Sequence, residues 1–234
     1  MTIWALIPAK DPARAKSRLA PVRTPAERRD LSVRLLEHTV RIAAATPGIS
    51  HCVVVSASRE LLSRARVLGA TPLTEDSSAA SFESHAYGGA PPEQGLNAAL
   101  QQGARFAQQR DALAVVIVPA DLPLLTVEAL DDLLHALPDG PGIALAPDRH
   151  NSGTNALLVR PPLALPFLFG PESMDRHCRA ATARGLRCAI VRHPAFALDL
   201  DTPDDLRLLA AGAKAAAGDG AEDGVRCTSG KGVR

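Results

Sequence analysis

Three aspartates follow the ends of two predicted strands and are the first candidates for chemistry. Asp121 comes shortly after Val115–Val118, an unbroken apolar run of the length of a buried strand. Asp199 and Asp201 end a second apparent strand, and their spacing places both carboxylates on one face of an extended segment. A lone Asp121 is also explained as the cap of a turn or helix. Two acidic clusters together predict a Mg²⁺ site, because this ion prefers carboxylate oxygens.

A basic segment directly follows the first predicted strand, Thr2–Ile7. Residues 9–19 contain four cations, Lys10, Arg14, Lys16 and Arg18. Backbone amides and cations at such a point can hold phosphates. The segment has no glycine, so it is neither a Walker A loop nor a GxGxxG fingerprint. The residues alone leave two readings open, a phosphate site and a solvated basic loop.

Small and hydroxyl-bearing residues suggest a second site, for an acid group. Thr154 lies in a polar segment between two predicted strands, a pattern that also fits a plain hairpin. Gly170 precedes a helix in which Pro171 is predicted to occupy the first turn. Ser173 then lies near the helix N-terminus, which favours anions. Thr154, Gly170 and Ser173 are therefore predicted to form an anion pocket.

Strands alternate with helices along almost the whole chain. This pattern predicts an α/β three-layer sandwich with a mostly parallel sheet, in which ligands bind at the carboxyl ends of the strands. Thr24–Glu27 is a capping box that begins a helix. Asn97, at the start of another helix, either faces a base or ribose or makes a helix-start hydrogen bond. We expect one domain over residues 1–217 and a disordered tail over residues 218–234.

Composition excludes several classes of partner. The net charge of +1 and an aromatic content of 3% give no support to nucleic-acid binding. No apolar run approaches the length of a membrane span, and no signal peptide is recognisable. The four cysteines form no CxxC motif, which favours reduced thiols. These features predict a cytoplasmic protein that binds neither membrane nor nucleic acid.

The combination of acidic cluster, basic loop and anion pocket fits nucleotidyl transfer. An acid phosphate would attack the α-phosphorus of a nucleoside triphosphate, and pyrophosphate would leave. The nucleophile is already an anion, so catalysis would rest on positioning and charge neutralisation.

Six motifs in this order resemble the CofC/FbiD guanylyltransferases of coenzyme F420 biosynthesis. They are IPAKDPARAKSRLA (7–20), GLNAAL (95–100), VPADLPLL (118–125), SGTNALLVRPP (152–162), FGPESMDRH (169–177) and DLDTPDDL (199–206). The resemblance covers nearly all of residues 3–210. It implies a nucleotide-diphospho-sugar transferase-like fold and GMP transfer from GTP to 2-phospho-L-lactate, phosphoenolpyruvate or 3-phospho-D-glycerate. It also implies a downstream F420 transferase as a possible partner and a possible homodimer.

The resemblance assigns roles to individual residues. Asp121, with Lys16 and Arg18, would be catalytic. Mg²⁺ would be held by Asp121, Asp199 and Asp201. The acid's carboxylate would be held by Thr154, Gly170 and Ser173. The nucleotide would contact Pro8, Ala9, Lys10, Lys16, Gly95, Leu96 and Asn97.

Two alternatives remain beside this reading. One is a nucleotidyltransferase of the same fold that acts on a sugar phosphate or a molybdopterin. The other is a nucleotide-binding module without catalysis. The chain departs from the family pattern at residues 150–152 and at Met174, near the predicted acid pocket, and this leaves the acid undetermined.

Overall fold

The computed structural model describes residues 2–13, 15–76, 95–137 and 140–218, with the backbone alone from residue 213 onward. The predicted tail therefore lies outside the described residues, except for Gly218. The single domain over residues 1–217 stays a prediction.

Seven strands form one mixed sheet. They are β1 (Ile3–Pro8), β2 (Ile49–Ser56), β3 (Thr71–Thr74), β4 (Ala114–Ile117), β5 (Gly142–Pro147), β6 (Thr154–Arg160) and β7 (Arg187–Ile190). Their order across the sheet is β3-β2-β1-β4-β6-β5-β7. Only β6 is antiparallel to its neighbours, β4 and β5, and the other pairs within the described sheet are parallel. The predicted α/β fold with a mostly parallel sheet is confirmed.

Helices cover both faces of this sheet. They are α1 (Pro25–Ala45), α2 (Arg59–Val67), α3 (Leu96–Gln108), α4 (Val127–His135), α5 (Ser173–Ala183), α6 (Pro194–Ala197) and α7 (Pro203–Gly218), with a 3-10 turn at Ser17–Leu19. One core packs α1, α2, α4 and α6 against the sheet, and a second core packs α3 and α5 against its other face. Successive strand residues alternate between the two cores, as the period of a strand requires. The result is the predicted three-layer sandwich.

Local sequence signals explain where several helices begin. The Thr24 side chain accepts a hydrogen bond from the Glu27 N–H, and Glu27 reaches back to the Thr24 N–H, which is the predicted capping box. The prediction for Pro171 was wrong: α5 begins at Ser173, and Glu172 before it has a left-handed φ of 56°. Gly170, with φ of 125°, also bends the chain there, so Pro171 lies in a turn outside the helix.

The topology brings the predicted functional segments to one edge of the sheet. The carboxyl ends of β1 and β4 lie at this edge, since the two strands are parallel. The antiparallel β6 places its first residue, Thr154, at the same edge. Helices α3 and α5 return to the amino ends of β4 and β7, so their own N-termini also lie at the carboxyl edge. This arrangement is the usual location of ligand sites in α/β sheets.

Two further findings concern membrane spans and thiols. Among the described residues, no helix is long and apolar enough to cross a membrane. Cys52, Cys178 and Cys188 are free thiols, as predicted.

Candidate active site

A backbone hydrogen bond joins the two acidic segments. The Leu200 N–H donates to the Asp121 carbonyl oxygen over 2.9 Å. Leu200 itself is buried, so its side chain anchors the segment in the molecule. Asp199 and Asp201, on either side of Leu200, are thereby held beside Asp121, as the sequence predicted.

Lys16 lies between the two segments. Its Nζ is 2.8 Å from Asp201 Oδ1 and 3.6 Å from Asp121 Oδ2, and its side chain is only 7% exposed. Lys16 has a left-handed φ of 54°, and it begins the short turn whose buried Leu19 fixes the end of the loop. The basic segment is therefore more than a solvated loop, because one of its cations is built into the acidic cluster.

The charges in this cluster are incompletely balanced. Burial raises the pKa of the Asp121 carboxyl, and the negative charges of Asp201 and Asp199 add to this, while Lys16 opposes it. Burial likewise raises the pKa of Asp199. For Lys16, burial lowers the pKa, but the carboxylates of Asp121, Asp201 and Asp199 outweigh it and leave the pKa raised. The cluster favours a further cation, since three carboxylates surround one ammonium group.

An ion pair behind the cluster fixes the position of Asp201. The buried Asp205 accepts hydrogen bonds from the N–H groups of Asp201 (2.9 Å) and Thr202 (2.6 Å) through Oδ2. Its Oδ1 lies 2.7 Å from Arg149 Nη1, at the tip of the β5–β6 hairpin. Burial raises the pKa of Asp205, but the bonds from Arg149 and the two N–H groups outweigh it and hold the pKa below its ordinary value. Asp205 thus holds the backbone at Asp201 and Thr202 and is a structural residue.

The donor set suits Mg²⁺ in chemistry, since the three carboxylates are hard oxygen ligands. In the part of the chain that the structure describes, however, no three acidic, histidine or cysteine side chains are arranged to hold a metal ion as they stand. The Lys16 ammonium lies between Asp121 and Asp201. A divalent cation bound by Asp121 and Asp201 would therefore have to take the place of the Lys16 ammonium between them.

A second group of polar residues surrounds the start of β6 and α5. The buried Thr154 hydroxyl lies 3.2 Å from Nδ1 of His177, which has no exposed surface. The Leu168 N–H donates to His177 Nε2 over 3.0 Å. Burial lowers the pKa of His177 to about 4, and the charge of Arg176 contributes. Ser173, one turn before His177, is also buried.

Asn97 connects helix α3 to the same region. Its Nδ2 donates to the Phe169 carbonyl oxygen over 3.1 Å, and its Oδ1 accepts from the Phe169 N–H over 2.9 Å. Both polar atoms of the side chain are thus bound to the residue before Gly170. The prediction that Asn97 contacts the nucleoside stays a prediction. The alternative, a hydrogen bond that caps the helix start, was wrong: α3 has no side-chain cap bond, and Asn97 joins this helix to Phe169 instead.

The remaining predicted nucleotide-binding residues occupy the same edge. Pro8 ends β1, and the Ala9 N–H donates to the Val55 carbonyl oxygen over 3.0 Å. Lys10 and Arg18 are exposed, and neither forms an ion pair with a described acidic residue. Gly95 and Leu96 begin α3. The structure brings Lys16, but not Arg18, to the acidic cluster.

Two residues of the site were not assigned a role from the sequence. The available signal for His177 is its spacing of four residues from Ser173, which places the two side chains on one face of a helix. Arg149 gave no signal, because its partner Asp205 is reached only through the fold.

Comparison with known proteins identifies the family. The family model described as "Guanylyl transferase CofC like" matches residues 3–217. The chain belongs to this guanylyltransferase family. It is 40% identical to the phosphoenolpyruvate guanylyltransferase of Rubrobacter xylanophilus over 211 residues, covering 90% of this chain and 95% of that protein. It is 34% identical to the 3-phospho-D-glycerate guanylyltransferase of Colwellia psychrerythraea, covering 88% and 90% respectively.

Solved structures agree on the fold. A structure from Desulfovibrio desulfuricans, described as a nucleotide-diphospho-sugar transferase, matches with a TM-score of 0.65 at 15% identity. The match covers 88% of this chain and 85% of that chain. A nucleotidyl transferase from Methanothermobacter matches with a TM-score of 0.62 at 16% identity, covering 91% and 98%. The nucleotide-diphospho-sugar transferase-like fold of this family member is therefore established.

Proposed function

We propose that this protein transfers GMP from GTP to the phosphate of a small phosphorylated carboxylic acid, with release of pyrophosphate, in coenzyme F420 biosynthesis. The observation that carries the proposal is the buried Lys16 ammonium between Asp121 and Asp201 at the carboxyl edge of the sheet. A cation and carboxylates together at this position suit a triphosphate and its counterion. Membership of the guanylyltransferase family supports the nucleotide and the reaction.

The reaction needs no general base. A phosphate oxygen of the acid attacks the α-phosphorus of GTP, a new P–O bond forms, and the bond to the β-phosphate oxygen breaks. Lys16 serves as a point charge that approaches the phosphates and offsets the charge that develops on the leaving group. Mg²⁺ held by Asp121, Asp199 and Asp201 would neutralise phosphate charge as a Lewis acid.

The acid would bind on the neutral side of the site. Thr154 supplies a hydroxyl, Gly170 a backbone without a side chain, and the N-terminus of α5 near Ser173 a favourable dipole. These groups suit the carboxylate of the acid, and its phosphate would then point toward the acidic cluster. Phosphoenolpyruvate is the proposed acid. Two relatives named phosphoenolpyruvate guanylyltransferase, from Rubrobacter and Sphaerobacter, are each 40% identical to this chain.

The test is a pyrophosphate-release assay with GTP, Mg²⁺ and one acid at a time: phosphoenolpyruvate, 3-phospho-D-glycerate or 2-phospho-L-lactate. The downstream F420 transferase is added to consume a labile product. We expect release with phosphoenolpyruvate, and none when Mg²⁺ is chelated. Release with another acid alone would replace the proposed substrate, and silence with all three beside measurable GTP binding would indicate a binding module.

A separate readout tests the metal without turnover. Mg²⁺ should raise the thermal unfolding midpoint of the wild type and of Asp132→Asn, an exposed carboxylate on α4. It should not raise that of Asp121→Asn. Equal shifts in all three proteins would remove Asp121 from the metal site.

A further inference from the structure

We propose that His177 is a positioning residue that fixes the direction of the Thr154 hydroxyl, so that Thr154 donates its hydrogen to an anionic oxygen of the acid. This inference rests on the proposed function. It goes beyond the predicted pocket of Thr154, Gly170 and Ser173, because it adds a fourth residue that acts through Thr154 without touching the acid.

The tautomer of His177 follows from a backbone contact. The Leu168 N–H can only donate, and it lies 3.0 Å from Nε2. Nε2 must therefore carry a lone pair, and in the neutral imidazole the hydrogen then resides on Nδ1.

The hydroxyl direction follows from the tautomer. Nδ1 lies 3.2 Å from Thr154 Oγ1, so the Nδ1–H can donate to the hydroxyl oxygen and cannot accept from it. The backbone of Ser173 also accepts a hydrogen bond from the ring, and this bond favours the same protonated Nδ1. The hydrogen of the Thr154 hydroxyl is then turned away from the ring and is free to bind another acceptor. A chain of two such bonds is cooperative, so the hydroxyl becomes a better donor.

The surroundings keep the ring neutral and fixed. His177 has no exposed surface, and its ring packs edge-on against Phe169 with 5.1 Å between centroids. The burial and the nearby Arg176 charge lower the pKa to about 4. Phe169 is in turn bound at both backbone atoms by Asn97. The loop of residues 168–170 is thus held by His177 at one peptide and by Asn97 at the next.

The consequence is a preference in the pocket. A group that accepts a hydrogen bond, such as a carboxylate, satisfies the Thr154 hydroxyl. A group that only donates would leave it without a partner, which a buried site penalises. The inference therefore fits Thr154 to an anionic oxygen of the acid, such as the carboxylate oxygen that the proposed function places there.

Variants of His177 separate its two contacts. His177→Phe removes both contacts and should raise the KM of the acid about tenfold, which corresponds to about 1.4 kcal/mol. His177→Asn places an amide N–H near the Nδ1 position and should restore most of that loss. His177→Gln reaches only the Nε2 position and should not. In all three, we expect the KM of GTP to stay within about twofold, as in the exposed control His135→Gln.

A double-mutant cycle tests the route through Thr154. Thr154→Val should raise the KM of the acid, and adding His177→Phe should raise it no further. The inference would be overturned if the two substitutions raised the KM of the acid independently. It would also be overturned if His177→Gln restored this KM better than His177→Asn. Melting curves restrict the comparison to folded variants.

A measurement without substrate keeps this inference separate from the proposed function. Long-range ¹H–¹⁵N spectra of the full-length wild type should show a protonated Nδ1 and an unprotonated Nε2 for His177. The opposite tautomer would overturn the inference even in an active enzyme. Absence of guanylyl transfer with the predicted tautomer present would instead count against the proposed function.

Discussion

The candidate site has a charged half, around Lys16 and the aspartates, and a neutral half, around Thr154 and His177. The two halves differ in how their polar groups are balanced. Around Lys16 the groups are charged, and the pKa values of Asp121 and Asp199 are raised by burial and mutual repulsion. Around His177 the groups are neutral, and each hydrogen bond has a defined donor and acceptor. The first half favours a further cation, whereas in the second the hydrogen bonds between protein groups are already formed.

This difference separates the tasks of the two halves. Phosphoryl chemistry needs strong charge at the point where negative charge develops. Selection among similar acids needs fixed donors in a shaped pocket. Substitutions in the charged half should therefore lower the rate, and those in the neutral half should change the KM of the acid.

The largest effect is expected for Asp121→Asn. Guanylyl transfer should fall by about 1,000-fold, because a carboxylate of the charged half is lost. The melting temperature should stay the same or rise, since burial and repulsion already disfavour the charged form of Asp121. Pyrophosphate release and a thermal melt measure the two quantities. If Asp121→Asn remained active, or were inactive only because it had unfolded, the catalytic role assigned to the charged half would be contradicted.

The stability of the neutral half should depend on pH through His177. Its pKa is about 4 when folded, against 6.5 for the free side chain, so between these values the unfolded chain binds the extra proton. The stabilisation is complete above pH 6.5 and is lost as pH falls toward 4, by about 3 kcal/mol at most. Urea unfolding at pH 7 and pH 4.5 should show that His177→Phe removes this part of the acid sensitivity. If the unfolding free energy of His177→Phe fell between pH 7 and pH 4.5 as much as that of the wild type, the ring would not be neutral in the folded protein.

Lys16→Met should lower the rate by about 100-fold, because the phosphates lose a positioned charge. Arg34→Met is the control, since Arg34 is an exposed cation on α1 with no predicted role in the site. We expect this variant to keep the rate within a few-fold. An equal loss in both variants would mean that Lys16 acts only through the overall charge of the protein.

Asn97→Ala should raise the KM of the acid about fivefold, through loss of the two bonds to Phe169. Gln102→Ala is a close control on the same helix. Gln102 also makes two backbone bonds, to Thr74 O (2.9 Å) and from Asp76 N (3.0 Å), but at the end of β3. Steady-state kinetics should separate the two variants. An effect on GTP rather than on the acid would favour the predicted nucleoside role of Asn97.

The smallest effect is expected far from both halves. Thr24→Ala removes the cap of α1 and should cost about 1 kcal/mol of unfolding free energy. Chemical denaturation measures this cost, and kinetic constants for both substrates should not change. A change in kinetics would show that α1 is coupled to the site.

Sequence patterns were sufficient where the information is local. The apolar run before Asp121 and the capping box at Thr24 correspond to observed features. The strand predicted to end at Asp199 and Asp201 was wrong, because α6 precedes these residues and residues 198–201 form an irregular segment instead. The alternation of strands and helices predicted the layers and the functional edge. Family resemblance added residue roles that spacing alone did not supply.

The contacts between distant segments were beyond such reasoning. Asn97 meets a residue 72 positions away, and Lys16 binds an aspartate 185 positions away. The short helix α6 was not predicted, since four residues leave no periodic pattern. The start of α5 was misplaced because left-handed Glu172 breaks the expectation set by Pro171.

The hairpin of β5 and β6 has a consequence for protein engineering. Together with α5 it forms one continuous stretch of sequence, between the two acidic segments, that carries Thr154, Gly170, Ser173 and His177. A chimera that exchanges residues 140–185 between relatives would transfer the acceptor pocket as a cassette. The exchanged segment must keep two contacts with the rest of the protein. These are the ion pair of Arg149 with Asp205 and the hydrogen bond of the Phe169 N–H to Asn97.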